Sequence, residues 1–135
     1  MTKSPLRLAI CLAVAALVVA PSALARSSSK TLGSNVTVTA GSPAEFHFTL
    51  APSTVKHGII VFKITNKGKL PHDFKLCSKA SSSLANSCNG RSSGQINPGA
   101  SGTLRVSVLL KGTYEYLCTL PGHAAGGMKG LLKVT

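Results

Sequence analysis

The chain has 135 residues, enough for one domain with a real core. Its 15 Lys and Arg stand against 3 Asp and Glu, a formal net charge of +12, with 4 His, 4 Cys and no Trp. The basic residues are scattered singly and the only aromatics are 4 Phe and 2 Tyr, which argues against a nucleic-acid-binding surface, where basic side chains gather in a patch or stripe.

In chain order, Lys3 and Arg7 give a basic start, residues 8–20 form an uncharged apolar run, and Ala23-Leu24-Ala25 has the small-x-small form of a cleavage site. Residues 1–25 are therefore expected to be a signal peptide, since the run falls short of the roughly 20 apolar residues that span a bilayer. Cys11 follows the bulky Ile10 and stands too early to be a lipoprotein cysteine. The protein is expected to be exported, to the periplasm or the cell exterior with envelope association allowed, where disulfides form. Loss of Lys3 and Arg7 leaves 13 basic residues against Glu45, Asp73 and Glu115, a net charge of +10. Such a charge steers a protein toward an acidic partner surface or an anionic membrane, or serves solubility alone.

Residues 26–34 are polar and Ser-rich and read as a flexible leader, with the folded domain expected over 35–135. From there the dominant period is two. Val36 and Val38 alternate with Thr37 and Thr39, and Phe46, Phe48 and Leu50 with Glu45, His47 and Thr49. Ile60, Phe62 and Ile64, then Leu104, Val106 and Val108, then Leu132 and Val134 repeat the pattern. Alternation of this kind marks strands with one buried face. Gly41-Ser42-Pro43, Asn66-Lys67-Gly68, Asn97-Pro98-Gly99 and Lys111-Gly112 supply turns between them. Seven to eight short strands without a convincing helix predict an all-β antiparallel sandwich. The Ser-, Asn- and Gly-rich stretch 78–97 carries at most a weak helical pattern over 80–86. Cys77 and Cys88 bracket its first half and are expected to form a disulfide, worth roughly 3 kcal/mol for a loop of about 12 residues. A second metal site at this pair would lack nearby His partners.

The densest chemistry lies in YLCTLPGHAAGGMKG, where four residues separate Cys118 from His123 and four more separate His123 from Met128. A thiolate, an imidazole and a thioether on one Pro- and Gly-rich loop form a soft ligand set. A His₂Cys trigonal set with a weak axial Met is a blue-copper site. The second His must come from elsewhere, and His72, after Pro71 and among Leu70, Phe74 and Leu76, is the best candidate. His47 lies on the polar face of its strand and His57 in a turn, so both are expected at the surface. Pairing of Cys77 with Cys88 would leave Cys118 free to ligate.

These segments, YLCTLPGHAAGGMKG with the upstream NKGKLPHDF, resemble the cupredoxins, the small blue copper proteins. The spacing about the loop His is most like the rusticyanin and auracyanin type within this plastocyanin-like group. The resemblance covers roughly residues 35–135. It implies a Greek-key β-sandwich holding one copper at His72, Cys118, His123 and Met128 and serving as a soluble or tethered one-electron carrier; a monomer is expected. It also implies that His123 is the electron exit, within an apolar rim of Leu70, Pro71, Leu120, Pro121 and Ala124. A redox partner with an acidic docking surface would suit the charge. No enzyme is expected, because multicopper oxidases and copper nitrite reductases need further His clusters and domains. The alternative is a copper chaperone or storage protein with the same ligands; a metal-free adhesion or interaction module is a third reading. One residue departs from the family pattern: relatives mostly carry Asn or Ser after the first ligand His, where this chain has Asp73. An ionised Asp only accepts hydrogen bonds, so Thr119 is expected to be the donor to it, and the added charge is expected to lower the copper potential.

Overall fold

A computed structural model describes residues 33–135; the expected signal peptide, its cleavage after Ala25 and the leader as far as residue 32 lie outside the described residues. Nine strands follow in chain order: β1 (Ser34–Ala40), β2 (Phe48–Ala51), β3 (Thr54–Val55), β4 (Gly58–Asn66), β5 (Lys75–Ala80), β6 (Gly90–Ser92), β7 (Ser101–Val108), β8 (Gly112–Leu117) and β9 (Lys129–Val134). They form two sheets, β2-β1-β4-β7 and β3-β9-β8-β5-β6, and no helix occurs among the described residues. Nine strands exceed the seven to eight expected because β3 has 2 residues and β6 has 3, too few for a period to register in sequence. The pairs β1–β4 and β3–β9 are parallel and the rest antiparallel.

The core lies between the sheets and is built from the faces that the alternation marks. Val36, Val38, Ile60, Phe62, Ile64, Leu104, Val106 and Val108 come from one sheet, and Leu76, Tyr114, Tyr116, Leu132 and Val134 from the other. Phe48, Phe62, Phe74 and Tyr116 pack as an aromatic cluster, with Phe74 stacked on Tyr116 at 5.4 Å between centroids. Strand β8 is buried on both faces. Its second face carries Glu115 and Leu117, and Leu117 packs with Cys77, Cys88 and Ala124 under the disulfide-closed segment. The predicted Cys77–Cys88 bridge is present, and the 80–86 stretch runs without a helix.

The register fixes which loops share an end of the sandwich. Ala40 pairs with Asn66 and Leu117 with Lys129, so the β1–β2, β4–β5 and β8–β9 connections gather at one end. Gly58 pairs with Val108 and Gly112 with Val134, so the β3–β4 and β7–β8 turns lie at the other.

Candidate metal centre

Three connections at the first end supply the side chains. In the β4–β5 connection the buried Asn66 acts as a brace. Its Nδ2 donates to the carbonyls of Leu70 at 2.8 Å and Ile96 at 2.9 Å, and its Oδ1 accepts from Gly68 N at 2.9 Å. His72 then pairs through its backbone with Ile96, donating at 3.1 Å and accepting at 2.7 Å. Its ring is 1% exposed. In the β8–β9 connection Cys118 N donates to Met128 O at 3.0 Å, and Met128 N donates to His123 O at 3.0 Å. These two bonds fold the loop back so that Cys118, His123 and Met128 are neighbours, and Gly127, at φ 109°, makes the return that a side-chain-bearing residue would resist. Cys118 and Met128 are both fully buried.

The donor atoms converge. His72 Nδ1 and His123 Nδ1 are 3.1 Å apart, and Cys118 Sγ is 3.4 Å from His123 Nδ1. The three donor atoms lie within 4.8 Å of one another. A metal about 2.0 Å from each of two ring nitrogens at trigonal angles would set them about 3.5 Å apart, so the cluster needs only a slight expansion to hold one. Two imidazole lone pairs facing each other at this distance repel unless a proton or a cation lies between them. A thiol beside two imidazoles is a donor set for soft or borderline metals, copper and zinc, rather than calcium or magnesium.

The surroundings prepare each donor. Burial pushes the Cys118 thiol up to about 11, so a metal must displace its proton to bind the thiolate. Asp73 N points at the Cys118 sulfur from 3.5 Å. Burial and the neighbouring His72 hold His123 below the usual histidine range, which favours its neutral, ligating form. The Asp73 carboxylate accepts from Thr119 through both the backbone N–H and the hydroxyl, the latter at 2.6 Å, and from Ser92 Oγ at 2.7 Å. Burial alone would raise this carboxyl, but those hydrogen bonds outweigh it and hold it below the usual range. Thr119 is thus the donor, as the chemistry of an ionised Asp requires.

Two participants escape sequence reasoning. Glu45 reads as a polar-face residue of a strand, yet its Oε1 accepts from His72 Nε2 at 2.9 Å and from the backbone of Lys69 and Leu70 at 3.0 Å each. A carboxylate only accepts, so Nε2 carries the hydrogen, and in the neutral ring Nδ1 is left as the lone-pair atom facing the cluster. Gly68 makes room for this pair, since a Cβ there would meet His72 Nε2 at 2.9 Å. The second is Phe46, expected inside a strand. It precedes β2, is 38% exposed and packs against the His123 ring at 4.9 Å. Phe46 thus joins the expected rim of His123, whose Leu70, Pro71, Leu120 and Pro121 are exposed or half-buried, whereas Ala124 is buried and belongs to the cluster beneath the disulfide. Scarcity of acid was the one available signal for Glu45, because a basic chain spares few carboxylates without a partner. The separation of 27 residues from His72 hides the pairing itself. His47 and His57 are exposed, and His57 Nδ1 lies 2.9 Å from Thr135 O at the far end.

Residues 34–135 match the profile of the copper-binding proteins of the plastocyanin/azurin family. A stretch of 40 residues is 50% identical to auracyanin-B of Chloroflexus aurantiacus, covering 30% of this chain and 17% of that protein. Among solved structures, auracyanin B superposes with a TM-score of 0.63 at 24% identity, covering 78% of this chain and 90% of that one. Auracyanin A, a "blue" copper protein of Chloroflexus aurantiacus, gives 0.59 at 21% identity, over 76% of this chain and 99% of that one. Rusticyanin from Thiobacillus ferrooxidans gives 0.56 at 26% identity, over 76% and 77%.

Proposed function

Because this chain belongs to the plastocyanin/azurin family of copper-binding proteins, we propose that it is an exported one-electron carrier whose copper is held by His72, Cys118, His123 and Met128. The observation that carries this reading is the convergence of two imidazole Nδ1 atoms and one buried thiol at the end of a stiff sandwich. Copper supplies the one-electron exchange between Cu(II) and Cu(I). The chain's own residues do the rest. Cys118 gives the thiolate and receives the Asp73 N–H. His72 is held at Nε2 by Glu45 and follows a loop braced by Asn66, and the buried Met128 would add a weak thioether donor. Donors tied this closely to the scaffold would rearrange little between the two charges of a bound copper, which would favour fast exchange. Four protein donors would also leave no open position for a substrate. His123, partly exposed and packed against Phe46, is the exit toward a partner whose acidic surface complements the basic chain.

A copper chaperone or store would use the same donors but prefer Cu(I) and release it. The two readings separate on adding one equivalent of Cu(II) to the metal-free protein and recording visible and EPR spectra. The carrier is expected to turn intensely blue with a small copper hyperfine splitting, and Cys118→Ser to abolish the band. A pale spectrum, or reduction without a blue species, would overturn the carrier in favour of the chaperone.

A further inference from the structure

The end of the sandwich remote from the donor cluster has its own chemistry. Leu109 and Leu110, in the β7–β8 turn, are 75% and 74% exposed, well above Leu70 at 42% and Phe46 at 38% on the copper end. Their exposure is built in, because the Tyr114 hydroxyl donates to Leu110 O at 2.8 Å and pins the turn. Exposed Lys56, Lys111 and Lys133 lie on the turns and strand ends around them. No acidic side chain among the described residues shares this end. Glu45 and Asp73 are engaged at the copper end, and Glu115 is buried within β8. Beside the two leucines opens an apolar cleft of about 540 Å³, walled by Leu76, Val106, Val108 and Tyr114, with Arg91 also in its lining. Strand β1 also begins at this end, since Ser34 pairs with Ile60 near the start of β4.

We infer that this end docks on an anionic lipid bilayer, with Leu109 and Leu110 entering the interface and the surrounding lysines meeting lipid phosphates. Protein partners fit poorly here. A specific protein interface buries about 800 Å² on each side, whereas the strongly exposed large apolar side chains here are two leucines, with Lys56, Lys111 and Lys133 exposed at the same end. A fluid bilayer needs no shape complement, and each Lys near an anionic surface adds to the attraction. Docking by this end leaves the His123 rim facing the aqueous phase. The inference does not depend on the identity of the metal.

Residues 34–135 contain both described sheets, the disulfide and the matched family region, so a chain of residues 26–135 keeps every described element. The test is co-sedimentation of this chain with phosphatidylcholine vesicles, with and without phosphatidylglycerol. Binding is expected only with the anionic lipid and is expected to weaken as salt is raised. Leu109→Ser with Leu110→Ser is expected to lower the partition coefficient about tenfold or more, with unchanged circular dichroism and melting temperature because both side chains lie outside the core. Leu70→Ser at the copper end is expected to leave binding unchanged. Absence of binding to anionic vesicles, or equal binding by the double variant, would overturn the inference. Loss of binding in Leu70→Ser alone would also overturn it, by placing the opposite end on the lipid.

Discussion

At His72 one carboxylate decides which ring nitrogen faces the cluster. Glu45 is held by two backbone N–H groups and accepts the Nε2 hydrogen. Partners of this kind behind a ligating His are worth about 10- to 100-fold in metal affinity. Glu45→Ala is therefore expected to weaken copper binding about 10- to 100-fold, measured by competition with a chelator, while Glu45→Gln, whose carbonyl oxygen still accepts, keeps most of the affinity. Asp73 acts through charge. A carboxylate placed about 8 Å from a bound metal, at an effective dielectric of about 20, would contribute about 2 kcal/mol. Removing it in Asp73→Asn is expected to raise the potential at neutral pH by something under about 90 mV, read by voltammetry; an unchanged potential would refute the field argument. Both carboxyls also shape the acid response. Backbone hydrogen bonds from Lys69 and Leu70 lower Glu45, and the Thr119 and Ser92 bonds lower Asp73 against the upward push of burial. A carboxyl lowered on folding stabilises fully above its unfolded value, near about 4, and loses that contribution as pH falls through the lower folded value. The melting temperature of the metal-free protein is expected to drop below about pH 5, and Asp73→Asn to flatten part of that drop.

Among the elements, β8 has the most constrained position. Tyr114, Tyr116 and then Cys118 face the core, while Glu115 and Leu117 face the segment closed by Cys77 and Cys88. Glu115 Oε1 accepts Ala85 N at 2.6 Å and ties that segment down. Replacing both cysteines by Ser is expected to cost roughly 3 kcal/mol in denaturant unfolding of the metal-free protein. The blue band of the copper form is expected to survive, because the lid covers the strand face opposite the Cys118 side chain. Loss of the band together with the stability would show that the lid also positions the thiol. Strands with one wet face, β1, β4, β7 and β9, were legible from alternation alone. The run through Phe46 was not, because Phe46 packs on His123 and Glu45 on His72 in place of joining β2.

Across the whole molecule, the two ends differ. The copper end joins an apolar rim to exposed Lys67 and Lys69, and the remote end presents Leu109, Leu110 and Lys111. A positive field around the exit speeds encounter with anions, and salt screens it. Reduced copper protein is accordingly expected to react with an anionic oxidant such as ferricyanide more slowly as ionic strength rises, and with a cationic cobalt complex faster. Stopped-flow rates at several salt concentrations check the sign; equal slopes for both reagents would remove the field from the account.

The sequence by itself determined the sandwich and the disulfide partners, and it offered the donor set His72, Cys118, His123 and Met128, because period-two alternation, cysteine pairing and ligand spacing are local signals. Of that set, the fold brings the donor atoms of His72, Cys118 and His123 within 4.8 Å of one another. The brace at Asn66 was legible only as a turn, since its partners Leu70 and Ile96 are named by the fold. Only the tertiary structure decided that Glu45 backs His72, that Phe46 rather than Ala124 joins the His123 rim, and that the exposed leucines stand at the end opposite the cluster. Those are contacts between connections far apart in sequence. They exist because strand register brings loop ends together, and neither composition nor spacing encodes which loops meet.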